Sequence, residues 1–173
     1  MSGATVVHAY DQPDVVAGQG TLGRELESQL GALDAVFVAV GGGGLIAGVA
    51  GWYGGRTRVI GVEPESCATM HEALRTGQPV DVPVSGIAAD SLGATRIGTL
   101  AFEIASRHVE RVILVSDEEI LRARRWLWQN LRVATGPGGA ATFAALQSGR
   151  HDLPHSARVA VIVCGVNTDP TTL

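Results

Sequence analysis

The stretch AVFVAVGGGGLIAGVAGW, residues 35–52, sets four consecutive glycines between a β-branched run and an apolar run of helical spacing. Strand, tight turn and helix within so few residues describe a βα unit, and glycine is the residue that lets backbone make such a turn or approach another group closely. The same alternation recurs along the chain. Strands are predicted at residues 5–8, 35–40, 58–62, 111–115 and 158–163, and helices at 21–30, 45–53, 67–76, 97–107, 117–134 and 139–148. Apolar strands alternating with helical segments predict an α/β fold: an open, mostly parallel sheet with helices on both faces. Ser116 followed by Glu119 is a capping box that marks the start of the helix at 117. The connection at 77–93, with Pro79 and Pro83, is too long for a simple link and predicts an ordered, functional loop.

Composition excludes several classes. At 173 residues the chain fits one domain, and 46% hydrophobic against 17% charged residues argues for a packed globule. A net charge of −4, with scattered basic residues, leaves no footprint for nucleic acid or an anionic membrane. The uncharged run 35–55 is long enough to span a bilayer. Its glycines, each disfavouring a helix by about 1 kcal/mol relative to alanine, argue against a span. No secretory signal opens the sequence, and Cys67 and Cys164 lack metal-ligand spacing, so a reducing, cytoplasmic setting is expected.

All 13 basic residues are arginine. Without a lysine, no side chain can form a Schiff base with an aldehyde cofactor.

Backbone N–H groups of a glycine-rich turn at a helix N-terminus form a natural phosphate cradle. Two occupants are open. Gly42, Gly44 and Ala47 fit the G-x-G-x-x-A pattern, and Glu63, 21 residues beyond Gly42, stands where a dinucleotide fold keeps its ribose-binding acid. That reading leaves the later segments unexplained.

Taken in order, HAYDQPDVVAGQGTLGRE, VAVGGGGLIAG, VIGVEPE, IAADSLGA, VILVSDEEI, GPGGAATFAALQSG and VIVCGVNTD resemble the serine/threonine dehydratase family, L-serine or L-threonine ammonia-lyases of pyridoxal-phosphate fold type II. The resemblance implies that Gly41, Gly42, Gly43, Gly44 and Leu45 hold the cofactor phosphate and that Cys164 faces the pyridine nitrogen. A thiol does not readily hold a protonated pyridinium, which favours β-elimination. It also implies a cation site of Glu63, the carbonyl of Cys67, Thr69, and the carbonyls of Leu92 and Ala94. An oxygen set with one formal charge suits potassium better than a divalent ion.

The sequence departs from the family in three places. Gly136-Pro137-Gly138-Gly139-Ala140 stands where the family has E-P-A-G-A, and Cys164-Gly165-Val166-Asn167 where it has S-G-G-N. The family's small domain, N-terminal segment and Schiff-base lysine have no counterpart in these residues. The chain is therefore expected to be the C-terminal part of a large pyridoxal-phosphate domain, inactive alone. Alternatives are a non-catalytic ligand-binding or regulatory subunit paired with a lysine-bearing chain, and an NAD(P)-binding domain. Trp52, Trp126 and Trp128 are candidates for a homo-oligomeric contact.

Overall fold

A computed structural model describes residues 7–172. Four parallel strands, β1 (Ala35–Ala39), β2 (Arg58–Pro64), β3 (Val109–Val115) and β4 (Val159–Val161), lie in the order β3-β2-β1-β4. β1 is central and wholly buried. Its side chains alternate between two cores. Val36, Val38 and Val40 join Val59 and helices α1 (Pro13–Leu30), α2 (Gly44–Tyr53), α3 (Thr69–Thr76) and α5 (Thr99–His108) on one face. Ala35, Phe37 and Ala39 join Ile60, Val62, Ile113 and helices α4 (Ala89–Leu92), α6 (Asp117–Trp126) and α7 (Pro137–Ser148) on the other. A strand buried on both faces reads as a continuous apolar run, which is why AVFVA shows no polar alternation.

β3 begins two residues earlier than predicted because it carries a bulge. Val59 pairs with Val109 but Ile60 pairs with Arg111, so Glu110 is the extra residue, and its carboxylate is bound by Arg58. The bulge keeps Val112 opposite Gly61 and Ile113 opposite Val62, each on its proper face.

Other boundaries differ for physical reasons. α1 starts at Pro13, eight residues before the predicted helix, because Gly18 and Gly20 read as breakers in isolation. A Cβ on Gly20 would lie 3.2 Å from the Gly48 carbonyl, and one on Gly48 would lie 2.5 Å from the Gly20 nitrogen, so these glycines let α1 and α2 touch backbone to backbone. The predicted helix 117–134 is α-helical only to Trp126. It then widens to a π-turn, Leu127–Leu131, and stops at Arg132, whose φ of 57° is left-handed. In the predicted strand 5–8, residues 5 and 6 lie outside the described residues. Val7 and His8 are not in a strand, and His8 Nδ1 accepts from the N–H groups of Tyr10 and Asp11. The 77–93 loop is pinned from several sides: the Val82 N–H donates to the Thr95 carbonyl, the Ser85 N–H to the Ser66 carbonyl, and the Ile87 N–H to the Asp117 carboxylate. Among the described residues no helix is long and apolar enough to cross a membrane. Trp52 and Trp126 are 36% and 39% exposed.

The glycine contact between α1 and α2 makes opposite predictions for neighbouring positions. Gly48→Ala should destabilise by about 1–3 kcal/mol through overpacking. Gly51→Ala, where an added Cβ meets nothing nearer than 3.9 Å, should be neutral or stabilise by up to about 1 kcal/mol. Urea unfolding of the two variants against the parent checks the contrast.

Candidate functional site

β1 and β4 pair only from Ala35 opposite Val159 to Phe37 opposite Val161, and the last bond is Ile162 N–H to the Phe37 carbonyl. Beyond it the two chains part. The order β3-β2-β1-β4 makes this the point where successive connections leave in opposite directions, and α/β sheets bind ligands in the crevice outside such strand ends. Gly41 follows β1 there and Cys164 follows β4.

The glycines of the loop pack closely against three neighbours, Leu92, Tyr10 and Ala101. A Cβ on Gly41 would lie 3.2 Å from the Leu92 backbone, and one on Gly42 would lie 2.3 Å from the Tyr10 ring. Gly43 has a φ of +90° and would strike Ala101 at 2.7 Å, while Gly44 would meet the Tyr10 backbone at 2.9 Å. The loop carbonyls are also engaged by protein: Gly41 by the Thr69 hydroxyl at 2.7 Å, Gly42 by the Gly98 N–H at 3.0 Å, and Gly43 by the Ala47 N–H at 2.9 Å. The N–H groups of Gly41, Gly42, Gly43, Gly44 and Leu45 have no acceptor among the described residues. Gly43 and Gly44 are buried, where a partnerless donor is costly. Successive free amides at the start of α2 form an anion-binding concavity with the positive end of the helix dipole behind it.

Cys164 is half-buried, and burial pushes its thiol above the usual range, so it stays neutral. Its carbonyl accepts from the Thr135 hydroxyl at 2.7 Å, and Gly136 N–H donates to the Gly165 carbonyl at 2.8 Å. α7 comes so close that a Cβ on Gly139 would lie 1.7 Å from the Cys164 carbonyl. α4 joins the two sides of the crevice: Leu92 lies against Gly41, and the Ser91 hydroxyl would be 2.5 Å from a Cβ on Gly138.

Glu63, the penultimate residue of β2, is fully buried, and it caps α3. Its Oε1 accepts from the Met70 N–H at 2.8 Å and lies 2.9 Å from Thr69 Oγ1, and its Oε2 accepts from the His71 N–H at 2.9 Å. The Thr69 hydroxyl has one proton but two acceptors, the Gly41 carbonyl and Glu63. Both contacts are satisfied when Glu63 carries a proton and donates to Thr69, or when a cation sits among the oxygens. Burial pushes the Glu63 carboxyl up to about 7, against the pull of its donors.

The five residues expected to hold a cation form two groups that meet at Gly41. Glu63, Thr69 and the Cys67 carbonyl, which accepts the Thr69 N–H at 3.2 Å, are one group. Leu92 and Ala94, joined by Ala94 N–H to the Leu92 carbonyl at 3.0 Å, are the other. Every donor is oxygen, and no cluster of three or more His, Cys, Asp or Glu is found among the described residues. That chemistry fits a monovalent rather than a transition-metal ion.

Glu63 also decides between the two occupants of the cradle. A ribose-binding acid must present its carboxylate to the ligand, whereas this one is turned into the α3 N-terminus with no exposed surface. The dinucleotide reading is corrected on that ground. A free-amide cradle beside a neutral thiol fits a phosphate-bearing pyridine cofactor instead.

Sequence reasoning missed Tyr10, Asp11 and Thr135. Tyr10 packs on Gly42 and Gly44, and Asp11 caps α5 through the N–H groups of Thr99 and Leu100 at 3.0 and 2.9 Å. Only tertiary contact reveals these roles. Thr135, just before the Gly-Pro-Gly-Gly turn, offered a weak signal as a polar residue at a helix start.

The family of pyridoxal-phosphate dependent enzymes matches residues 1–165. Phenylserine dehydratase of Ralstonia pickettii is 42% identical over 173 residues, covering 98% of this chain and 53% of that protein. Serine racemase of Schizosaccharomyces pombe is 34% identical over 170 residues, covering 96% and 52%. The chain spans about half the length of these curated relatives. The processed form of threonine deaminase isoform 2 from Solanum lycopersicum superposes with a TM-score of 0.90 at 31% identity, over 98% of this chain and 51% of that one. Maize serine racemase gives 0.91 at 31%, over 99% and 54%. The glycine cradle, the strand order and these matches agree: the chain belongs to the pyridoxal-phosphate dependent enzyme family of fold type II.

Proposed function

We propose that the chain is the phosphate- and ring-binding part of the large domain of an L-threonine/L-serine dehydratase, which converts a β-hydroxy-α-amino acid to a 2-oxo acid and ammonia. The observation that carries this is the row of five partnerless N–H groups beside Cys164 at the parting of β1 and β4. Threonine, serine and phenylserine, named in the relatives, share the β-hydroxyl that such a reaction expels.

Pyridoxal phosphate, when bound, supplies the electron sink that labilises the α-proton. The amides of residues 41–45 neutralise and orient the phosphate. Cys164, neutral through burial, offers the ring nitrogen a thiol rather than a carboxylate, so no counter-ion stabilises a pyridinium. No covalent anchor for the cofactor aldehyde is available within the 173 residues, since none is lysine. Turnover therefore requires a lysine-bearing segment or partner chain, and the exposed Trp52 and Trp126 are available to a partner or to a second copy. The same absence favours a second reading, a ligand-binding subunit that does no chemistry of its own.

Titration with pyridoxal phosphate should give saturable binding that inorganic phosphate competes away. Gly43→Ala forces a side chain into a left-handed, crowded position and should weaken binding by roughly 5- to 150-fold, as about 1–3 kcal/mol of strain implies. After borohydride reduction, a peptide map should show no cofactor on any side chain; a cofactor-bearing side chain would overturn the assignment. Turnover that appears only on adding a lysine-bearing chain separates the dehydratase reading from the binding subunit.

We also propose that the oxygens around Gly41 hold a monovalent cation such as potassium when Glu63 is ionised. Glu63 binds its proton more tightly folded, at about 7, than at the ordinary value of 4.5 taken for the unfolded chain. The folded state then holds more protons between those pH values, and stability falls as pH rises through that window, by up to about 3 kcal/mol. Denaturation of the parent should show this fall, and Glu63→Gln should lack it. Potassium chloride should restore stability at pH 8 but not at pH 5, relative to choline chloride at equal ionic strength.

A further inference from the structure

Arg124 is the only buried basic side chain among the described residues, at 7% exposure, although its neighbour Arg125 is exposed on the same helix. Burying a guanidinium costs several kcal/mol unless its donors are matched. No carboxylate among the described residues pairs with this one. Its partners are neutral oxygens: Nε donates to the Thr135 carbonyl at 2.8 Å, Nη1 to the Thr172 carbonyl at 3.1 Å, and Nη2 to the hydroxyls of Thr168 and Thr172, both at 2.7 Å. A planar fork of fixed donors can tie two chain segments at once, which an ammonium cannot do with the same geometry.

Those two segments flank Cys164. Thr135 holds the Cys164 carbonyl through its hydroxyl, and Gly136 holds the Gly165 carbonyl, so the Cys164 peptide is gripped by the residues whose position Arg124 sets. Thr168 lies four residues beyond Cys164, and the same guanidinium holds it. Gly165, with a φ of +69°, gives the chain a turn between the two grips.

We propose that Arg124 is the positioning residue of Cys164: from α6 it clamps both flanks of the strand-end turn and thereby aims the thiol into the crevice beside the glycine loop. This rests on the reading of Cys164 as the ring partner, and the test separates the two.

In a Cys67→Ala background, Cys164 is the only thiol, and its rate of modification by Ellman's reagent reports how the turn is held. Cysteine reactivity follows exposure and microenvironment, so Arg124→Met should raise the rate about tenfold or more, and Arg124→Lys should recover part of the protection. Thr168→Val keeps the side chain's size but removes one hydroxyl contact, and should raise the rate about threefold with unchanged circular dichroism. A folded Arg124→Met protein whose Cys164 reacts within about twofold of the parent rate overturns the proposal. If Arg124→Met does not fold, an unchanged rate in Thr168→Val overturns it instead. Protection of Cys164 by pyridoxal phosphate is measured alongside. Lack of protection would defeat the ring-partner reading while leaving the clamp intact.

Discussion

The carbonyl of Gly41 accepts the Thr69 hydroxyl at 2.7 Å, and the Leu92 backbone lies 3.2 Å from where a Cβ on Gly41 would stand. Through the first contact Gly41 is joined to Glu63 and the start of α3, and through the second to the short helix of the long loop. The next two carbonyls are engaged by α5 and α2 in the same way. Each carbonyl turned toward protein leaves the corresponding amide facing the crevice. The anion-binding character of the loop is thus a consequence of how it is packed, and it exists before any anion arrives.

The opposite wall follows the same logic with different atoms. Gly138 and Gly139 let α7 reach the Ser91 hydroxyl and the Cys164 carbonyl at distances that a Cβ would forbid. Thr135 then supplies the hydrogen bond that the unpaired end of β4 lacks. Because β4 stops pairing with β1 after Ile162, the Cys164 turn depends on such contacts rather than on the sheet for its position. Strand ends released from a ladder can aim a side chain, but only when other groups fix them.

What could be read from the sequence divides along this line. The strand at 35–40, the helix beginning at 117 with its capping box, and the glycine-rich turn into α2 were legible because periodicity and capping are local. The start of α1 was not, because Gly18 and Gly20 read as breakers until α2 is seen against them. The bulge at Glu110 and the π-turn after Trp126 arise from register and from the path to Thr135, neither of which is local. The candidate site residues named from the sequence are those on strand ends and in glycine-rich turns, where the signal is local. Tyr10 and Arg124 act through residues distant in sequence, and only the packed structure connects them.

Glu63 shows why spacing alone misleads. An acid 21 residues after the first glycine of a G-x-G-x-x-A pattern satisfies the dinucleotide rule, and the strand placing it at the carboxyl end of the sheet is the expected one. A ribose must be reached from the crevice, however, and the α3 N-terminus takes this carboxylate out of the crevice by binding both its oxygens. With its carboxylate held by the α3 N-terminus, Glu63 does not select a sugar. The half-buried thiol at the end of β4 becomes the polar group opposite the cradle, and a neutral thiol is a partner for an uncharged ring nitrogen. The same free amides would bind the phosphate of either ligand. The direction in which one carboxylate points therefore discriminates between them.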